Sequence, residues 1–267
     1  MTRTFEGIGR DSRLLLSSSF ISGVSYAFYF IIQPFYLLSA GYDATWIGVV
    51  NAVFGVVMTV FIIPAGILAD AFGRKTFNLI GYLIMSLGMF AMAASPSVPA
   101  IIGGSAIAGA GGALTFASSG ALLAGSVHEG KLTTIFSYSY FLSTFASSLG
   151  STTGWLPTIF MHSLGLTRLF AMQVTMAAGG VVILLGGAPV LFVHEVKSER
   201  KDKSRFTLES RGIITKFMLV NIFVGFGAGL TIPLFPVYFW KKFGIDSGPF
   251  GTLQAISNLV AAVSFLG

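Results

Sequence analysis

Five residues, Gly66, Asp70, Gly73, Arg74 and Lys75, stand in the run Gly66-Ile67-Leu68-Ala69-Asp70-Ala71-Phe72-Gly73-Arg74-Lys75, between two long apolar stretches. An acid at the C-terminal end of a helix meets the negative end of the dipole. Asp70 is therefore expected to have a partner, either Arg74 or the positive N-terminus of a helix from elsewhere in the protein. Gly66 is expected to admit a second helix at close range and Gly73 to permit a tight turn, while Arg74 and Lys75 hold the turn at an aqueous surface. This is chemistry of ion pairing and anchoring rather than of bond making.

A second set of polar residues forms a stripe. Ser18, Ser22, Ser25, Tyr29, Gln33 and Tyr36 recur at three and four residues, which places them on one helix face. Tyr29, Gln33 and Tyr36 are candidate contacts for a solute; the serines are expected to serve packing. Asn51, Thr59, Tyr140 and Gln173 are isolated polar positions inside apolar runs, and Asn51, Tyr140 and Gln173 are added to the candidate cavity. Ser143, Ser147 and Ser151 are expected to allow close helix contact.

Other chemistries find little footing. The chain has no Cys, so disulfides, thiolate metal sites and cysteine nucleophiles are excluded. His128, His162 and His194 lie at separate span ends, which argues against a metal cluster. The sequence contains no G-x-S-x-G, no H-E-x-x-H and no paired carboxylates within an apolar run, so an enzyme is not expected, nor a cofactor.

These residues sit in a chain of 267 residues, 54% hydrophobic and 10% charged, with a mean hydropathy of +0.83. That is too apolar for a soluble domain and the apolar runs are too long for barrel strands, so an all-α polytopic membrane protein is expected. Eight spans are predicted: Leu14 to Leu38, Thr45 to Ala69, Phe77 to Ala94, Val98 to Val127, Ile135 to Trp155, Leu169 to Val193, Phe217 to Trp240 and Phe250 to Gly267. Under alternation of loops, 13 of the 16 Lys and Arg residues fall on one side. Only Arg168, Lys241 and Lys242 fall on the other, which predicts a cytoplasmic N-terminus in a plasma membrane. The pI of 9.7 then reflects an inner-leaflet surface and requires no nucleic acid. No Asp, Glu, Lys or Arg falls in the middle of a predicted span, so either coupling to an ion such as a proton resides elsewhere or the solute is neutral.

The predicted organisation is a six-helix unit over 1–194, a charged linker over 195–216 and two helices of a second unit over 217–267. Ten of the seventeen residues from Glu195 to Arg211 are charged. An internal repeat supports two units: Pro34, Tyr36, Gly41, Asp43, Gly48 and Ala52 recur as Pro236, Tyr238, Gly244, Asp246, Gly251 and Ala255, offset by 202 to 203 residues. Asn51 corresponds to Gln254.

The run from Gly66 to Lys75 resembles the signature loop G-x-x-x-D-R-x-G-R-[RK] of the major facilitator superfamily, departing at Ala71, where the family has Arg. The resemblance implies a six-plus-six helix bundle whose halves rock about a midplane site, with this loop latching the halves on the cytoplasmic side. It also implies that the first helix lines the cavity. Ser105, Gly109, Gly111, Gly112 and Ala113 are similar to the R-x-x-x-G-x-G pattern of proton-coupled exporters with Ser in place of Arg. That departure weakens proton coupling there and leaves the glycines as packing sites. Gly150, Gly154 and Pro157 match the antiporter pattern G-x-x-x-G-P only loosely. The expected function is secondary active transport of a small organic solute by alternating access, with export favoured. The alternative is a non-transporting fragment, a membrane sensor, or a split half that needs a separately encoded C-terminal half. Because the last apolar run has no polar end, the chain is expected to be truncated. Sequence beyond Gly267 is then predicted to carry a second G-x-x-x-D-like loop within a total of roughly 400 residues. Reading the coding DNA past that codon checks this, and unrelated sequence there would contradict it.

Overall fold

The computed structural model describes residues 9–127, 129–194, 227–229 and 231–265. Every regular element among them is a helix. Helix α1 is Arg10–Ser39, α2 is Ala44–Phe72, α3 is Arg74–Ala94 and α4 is Val98–Gly125. Helix α5 is Leu132–Ser151, α6 is Leu156–Leu164 and α7 is Arg168–Leu191. Helix α8 is Phe235–Phe243 and α9 is Ser247–Ser264. Helices α1, α2, α3, α4 and α7 are each long and apolar enough to cross a membrane.

Most span limits agree with the hydropathy reading, and the differences have local causes. The fifth span does not end near Trp155. It passes through a 3₁₀ turn at Thr152–Trp155 and continues as α6 to Leu164. Pro157 lacks the N–H that an α-helix would use there, and the Thr152 and Thr153 hydroxyls donate back to the carbonyls of Leu149 and Gly150. The last helix begins at Ser247 rather than Phe250, because Asp246 caps it by accepting from Ser247 N at 2.8 Å. Inside α1 the stretch Phe28–Ile32 is wound as a π-helix immediately before Pro34. The wide turn accommodates a ring that would otherwise press on the carbonyl four residues back. The 195–216 linker and residues 217–226 of the seventh predicted span lie outside the described residues.

In lipid, apolar area gives helices little reason to associate with one another, so close approach and dispersion must hold them. The α3–α4 crossing is built on that rule. A Cβ on Gly88 would lie 2.6 Å from the Gly104 carbonyl oxygen, one on Gly104 would lie 2.7 Å from that of Gly88, and Gly81 faces Gly111 in the same way. Gly109 lets α4 meet the Phe54 carbonyl of α2, and Gly150 lets α5 meet Val24 of α1. Phe28 of α1, Met89 of α3 and Gly179 of α7 converge at one junction. Gly104, Gly109 and Gly111 of the fourth span are therefore packing sites, in agreement with the sequence pattern of the latter two. Ser147 donates to the Gly23 carbonyl at 2.9 Å, so α5 meets α1 at close range there, while Ser151 faces α9.

The internal repeat has a structural counterpart. Gly41, with φ +89°, and Gly244, with φ +66°, each end a helix in the left-handed region, and two residues later Asp43 and Asp246 cap the next one. Helix α9 lies along α5: Ser148 donates to the Ala255 carbonyl at 2.7 Å and Asn258 donates to Ser151 Oγ at 3.3 Å.

Replacing Gly88 with Ala is expected to destabilise the protein by about 1–3 kcal/mol through overpacking. Gly103→Ala on α4, where nothing lies within 4 Å of the added atom, is expected to be near neutral. Thermal unfolding of detergent-solubilised protein checks the pair; equal midpoints would contradict the crossing.

Candidate functional site

The signature loop is a corner between α2 and α3. Gly73 turns it with φ +114°. Of the two partners expected for Asp70, the structure has Arg74, whose Nε donates to Asp70 Oδ1 at 2.7 Å. The Asp70 side chain is 61% exposed, so this pair contributes at most about 1 kcal/mol. Arg74 Nη1 also donates to the Ala121 carbonyl at 3.3 Å, and Lys75 Nζ donates to the carbonyls of Leu191 and Val193 at 2.7 and 2.9 Å. Both cations sit at the positive N-terminus of α3, an unfavourable place, and both point at carbonyls at the C-terminal ends of α4 and α7. The described contacts thus bolt the corner to α4 and α7.

Gly66 was expected to admit a helix closely; among the described residues an added Cβ there would meet only the Ala117 Cβ, at 4.0 Å. The close-packed face of α2 carries Ala65 and Ala69, both buried; Gly66 is turned away from it, on the side that also carries the exposed Ile63 and Ile67.

The stripe of α1 faces inward. Ser18 shares a hydrogen bond with the Tyr82 hydroxyl at 2.9 Å and donates to the Gly186 carbonyl, and Ser22 meets the same hydroxyl at 2.6 Å. Ser25 bonds back to Ile21. Tyr29, Gln33 and Tyr36 are fully buried between helices. The Tyr29 hydroxyl lies 3.5 Å from Ser105 Oγ, which itself donates to the Val50 carbonyl. Tyr36 donates to the Met92 carbonyl at 2.9 Å. Gln33 differs: its Nε2 has no hydrogen-bond partner among the described residues, the one buried side-chain polar atom among them of which this holds.

The remaining candidates are spread out. Gln173 donates to the Ala93 carbonyl at 2.9 Å, near the end of α3 that also receives Tyr36. Asn51 donates to its own helix at Ile47, and Thr59 bonds back to Gly55. Tyr140 is 54% exposed and stacks on Phe265 at 5.9 Å, where α5 meets α9. The structure therefore brings together Tyr29, Gln33, Tyr36, Ser105 and Gln173 near α1, and leaves Asn51 and Tyr140 apart from them. His194 faces Asp11, and no group of metal-ligating side chains forms among the described residues.

Sequence reading missed the inner face of α3. Asn78 is buried and donates to the Thr115 carbonyl and to Ser118 and Ser119 Oγ at 2.8–3.3 Å. Ser86 donates to the Gly180 carbonyl of α7. Asn78, Tyr82 and Ser86 recur every four residues, so the same periodicity test that found the stripe of α1 would have found this one. Also missed was Arg168 at the opposite end of the bundle. Its Nη2 donates to Asp246 at 2.8 Å and its Nε to Ser39 Oγ at 3.0 Å, and its guanidinium lies 5.3 Å from the Trp240 ring centre.

The family model described as Major Facilitator Superfamily matches residues 15–267. The chain belongs to that family. Inner membrane transport protein YajR of Escherichia coli strain K12 is 29% identical over 171 residues, covering 63% of this chain and 36% of YajR. Among solved structures, the nucleoside transporter NupG superposes with a TM-score of 0.67 at 15% identity over 96% of this chain and 64% of its own. A structure of a proton-dependent oligopeptide transporter does so with a TM-score of 0.64 at 16% identity, over 87% and 51%. These structures show the same fold. The chain spans about a third of the curated relative's length, and about half to two thirds of that of these structures. It is an all-helical, multi-pass membrane protein of this superfamily.

Asn78→Leu is expected to leave the Ser118 and Ser119 hydroxyls without their shared donor and to cost about 1–3 kcal/mol, read as a lowered unfolding temperature. An unchanged temperature would mean that the bridge between α3 and α4 does not matter to stability.

Proposed function

We propose that the protein carries a small, neutral or lipophilic organic solute across the plasma membrane by alternating access, with export as the favoured direction and the Arg74 end in the cytoplasm. Family membership supports transport as the general activity. Only three of the sixteen Lys and Arg residues, Arg168, Lys241 and Lys242, fall at the end opposite Arg74 and Lys75 under alternation of loops, which supports the orientation. The observation that carries the solute site is the Gln33 amide. Leaving a buried donor unpaired costs about 1–3 kcal/mol, and this one comes directly after the π-helical turn at Phe28–Ile32. Wide turns of this kind recur where a helix serves function rather than stability. Tyr29 and Tyr36 share its face of α1, Ser105 and Gln173 bond nearby, and among the described residues no Asp, Glu, Lys or Arg falls in the middle of these spans. Such a lining suits a solute that offers a carbonyl or hydroxyl oxygen to Gln33 and apolar surface to Tyr29. Gln33 is shut in by its neighbours, so a solute reaches it when the two units move apart, which is what alternating access requires.

Gln33→Leu separates function from stability. Removing an unpaired polar group is expected to leave the unfolding temperature unchanged or higher. Loss of one hydrogen bond to the solute is expected to slow its movement about tenfold or more. Flux of labelled solutes in vesicles and thermal unfolding are measured together. Wild-type flux in the variant would remove Gln33 from the site, and no movement of any solute by the intact protein would overturn the transport reading.

A further inference from the structure

Among the described residues, the two repeat units pack closely at the Arg168 end. There Gly154 packs directly on the Ser247 carbonyl, Gly251 on that of Ser151 and Gly248 on the Trp155 indole. Ser247 Oγ donates to the Gly154 carbonyl at 2.9 Å and Trp155 Nε1 to Thr252 Oγ1 at 3.0 Å. Arg168 closes this end from the side. As the first residue of α7 it sits against the positive pole of its own helix, so local structure gives it no reason to be there. It is held by Ser39 at the end of α1, by Asp246 at the start of α9 and by Trp240 of α8. One side chain thus ties the first unit to both described helices of the second.

The repeat supplies an internal comparison. Asp43, the counterpart of Asp246, caps α2 by accepting from Thr45 N and Trp46 N. Asp246 caps α9 with the same carboxylate and also accepts from Arg168. Capping alone requires only the first of these, so the ion pair is an addition specific to the second unit. Both side chains are more than a third exposed, which leaves the pair weak enough to break in a transport cycle.

Resting on the alternating-access reading above, we propose that Arg168 is a positioning residue for transport. Its pairing with Asp246 holds the non-cytoplasmic end shut, and that end opens only when the pair separates.

The chain contains no cysteine, so single cysteines report opening directly. The full-length protein in oriented vesicles receives Ser247→Cys or, deeper in the same seam, Ser151→Cys. Both serines are fully buried. A membrane-impermeant maleimide is applied from the Arg168 side. Arg168→Gln and Asp246→Asn are each expected to speed labelling of both reporters about tenfold, and the amide introduced by Asp246→Asn retains a capping oxygen. The double variant is expected to label no faster than either single one, since both remove the same contact. Unchanged rates would overturn the proposal. So would faster labelling at Ser247→Cys alone, which is fraying of α9, or equal acceleration at Ser86→Cys between α3 and α7, which is general loosening. The labelling needs no solute, so failure of the transport assay and failure of the latch are separate results.

Discussion

Hydrocarbon offers no hydrogen bonds, and every polar atom carried into it has to be answered from within the protein. Most of this bundle can be understood as that answer. Serines and threonines bond back to carbonyls of their own turns or reach across to the next helix. Tyr82 gathers two serines of α1, Asn78 joins three groups of α4, and Ser105 holds the α2 backbone. These bridges need backbones within a few ångströms of one another, which is why the crossings are made at Gly88 and Gly104, Gly81 and Gly111, and Gly23 and Ser143. Close packing and polar satisfaction are one design. Against it, the Gln33 Nε2 is the exception, with no hydrogen-bond partner among the described residues.

The charged groups follow a complementary rule at the two ends. Arg74, Lys75 and Arg168 all occupy the first turn of a helix, where the dipole opposes a cation. Each is therefore kept in place by tertiary contacts: two by carbonyls ending α4 and α7, and the third by Asp246. At the Arg74 end the described bonds stiffen the first unit. At the Arg168 end they cross to the second. A cation whose own helix repels it is well suited to a contact that has to be made and released, because its position depends on the partner.

Helix α2 shows what the first unit alone does not cover. Ile63 and Phe72 are each more than two-thirds exposed, and Gly66 and Asp70 lie along the side of Ile63. The packed face, with Ala65 and Ala69, is committed to the first unit. The signature loop thus joins a helix that is closely held on one side and open to an apolar surrounding on the other. Its ion pair with Arg74 keeps the acid satisfied in the meantime.

The helical class, most span limits, the corner at Gly73 and the repeat were legible in the residues, because hydropathy, chain length and capping chemistry act locally along the chain. Asp43 and Asp246 cap because of the residues within one turn after them, and the periodicity of α1 places its polar stripe on one face whatever that face meets. What the stripe meets was decided only by packing. Nothing local says that Tyr36 spends its hydroxyl on Met92 while the Gln33 Nε2 finds no partner among the described residues, that Gly66 has no described neighbour closer than 4.0 Å while Gly88 is tightly packed, or that Arg168 reaches Asp246 across 78 residues of sequence. Those outcomes depend on which helices become neighbours and at what distance, a property of the assembled bundle.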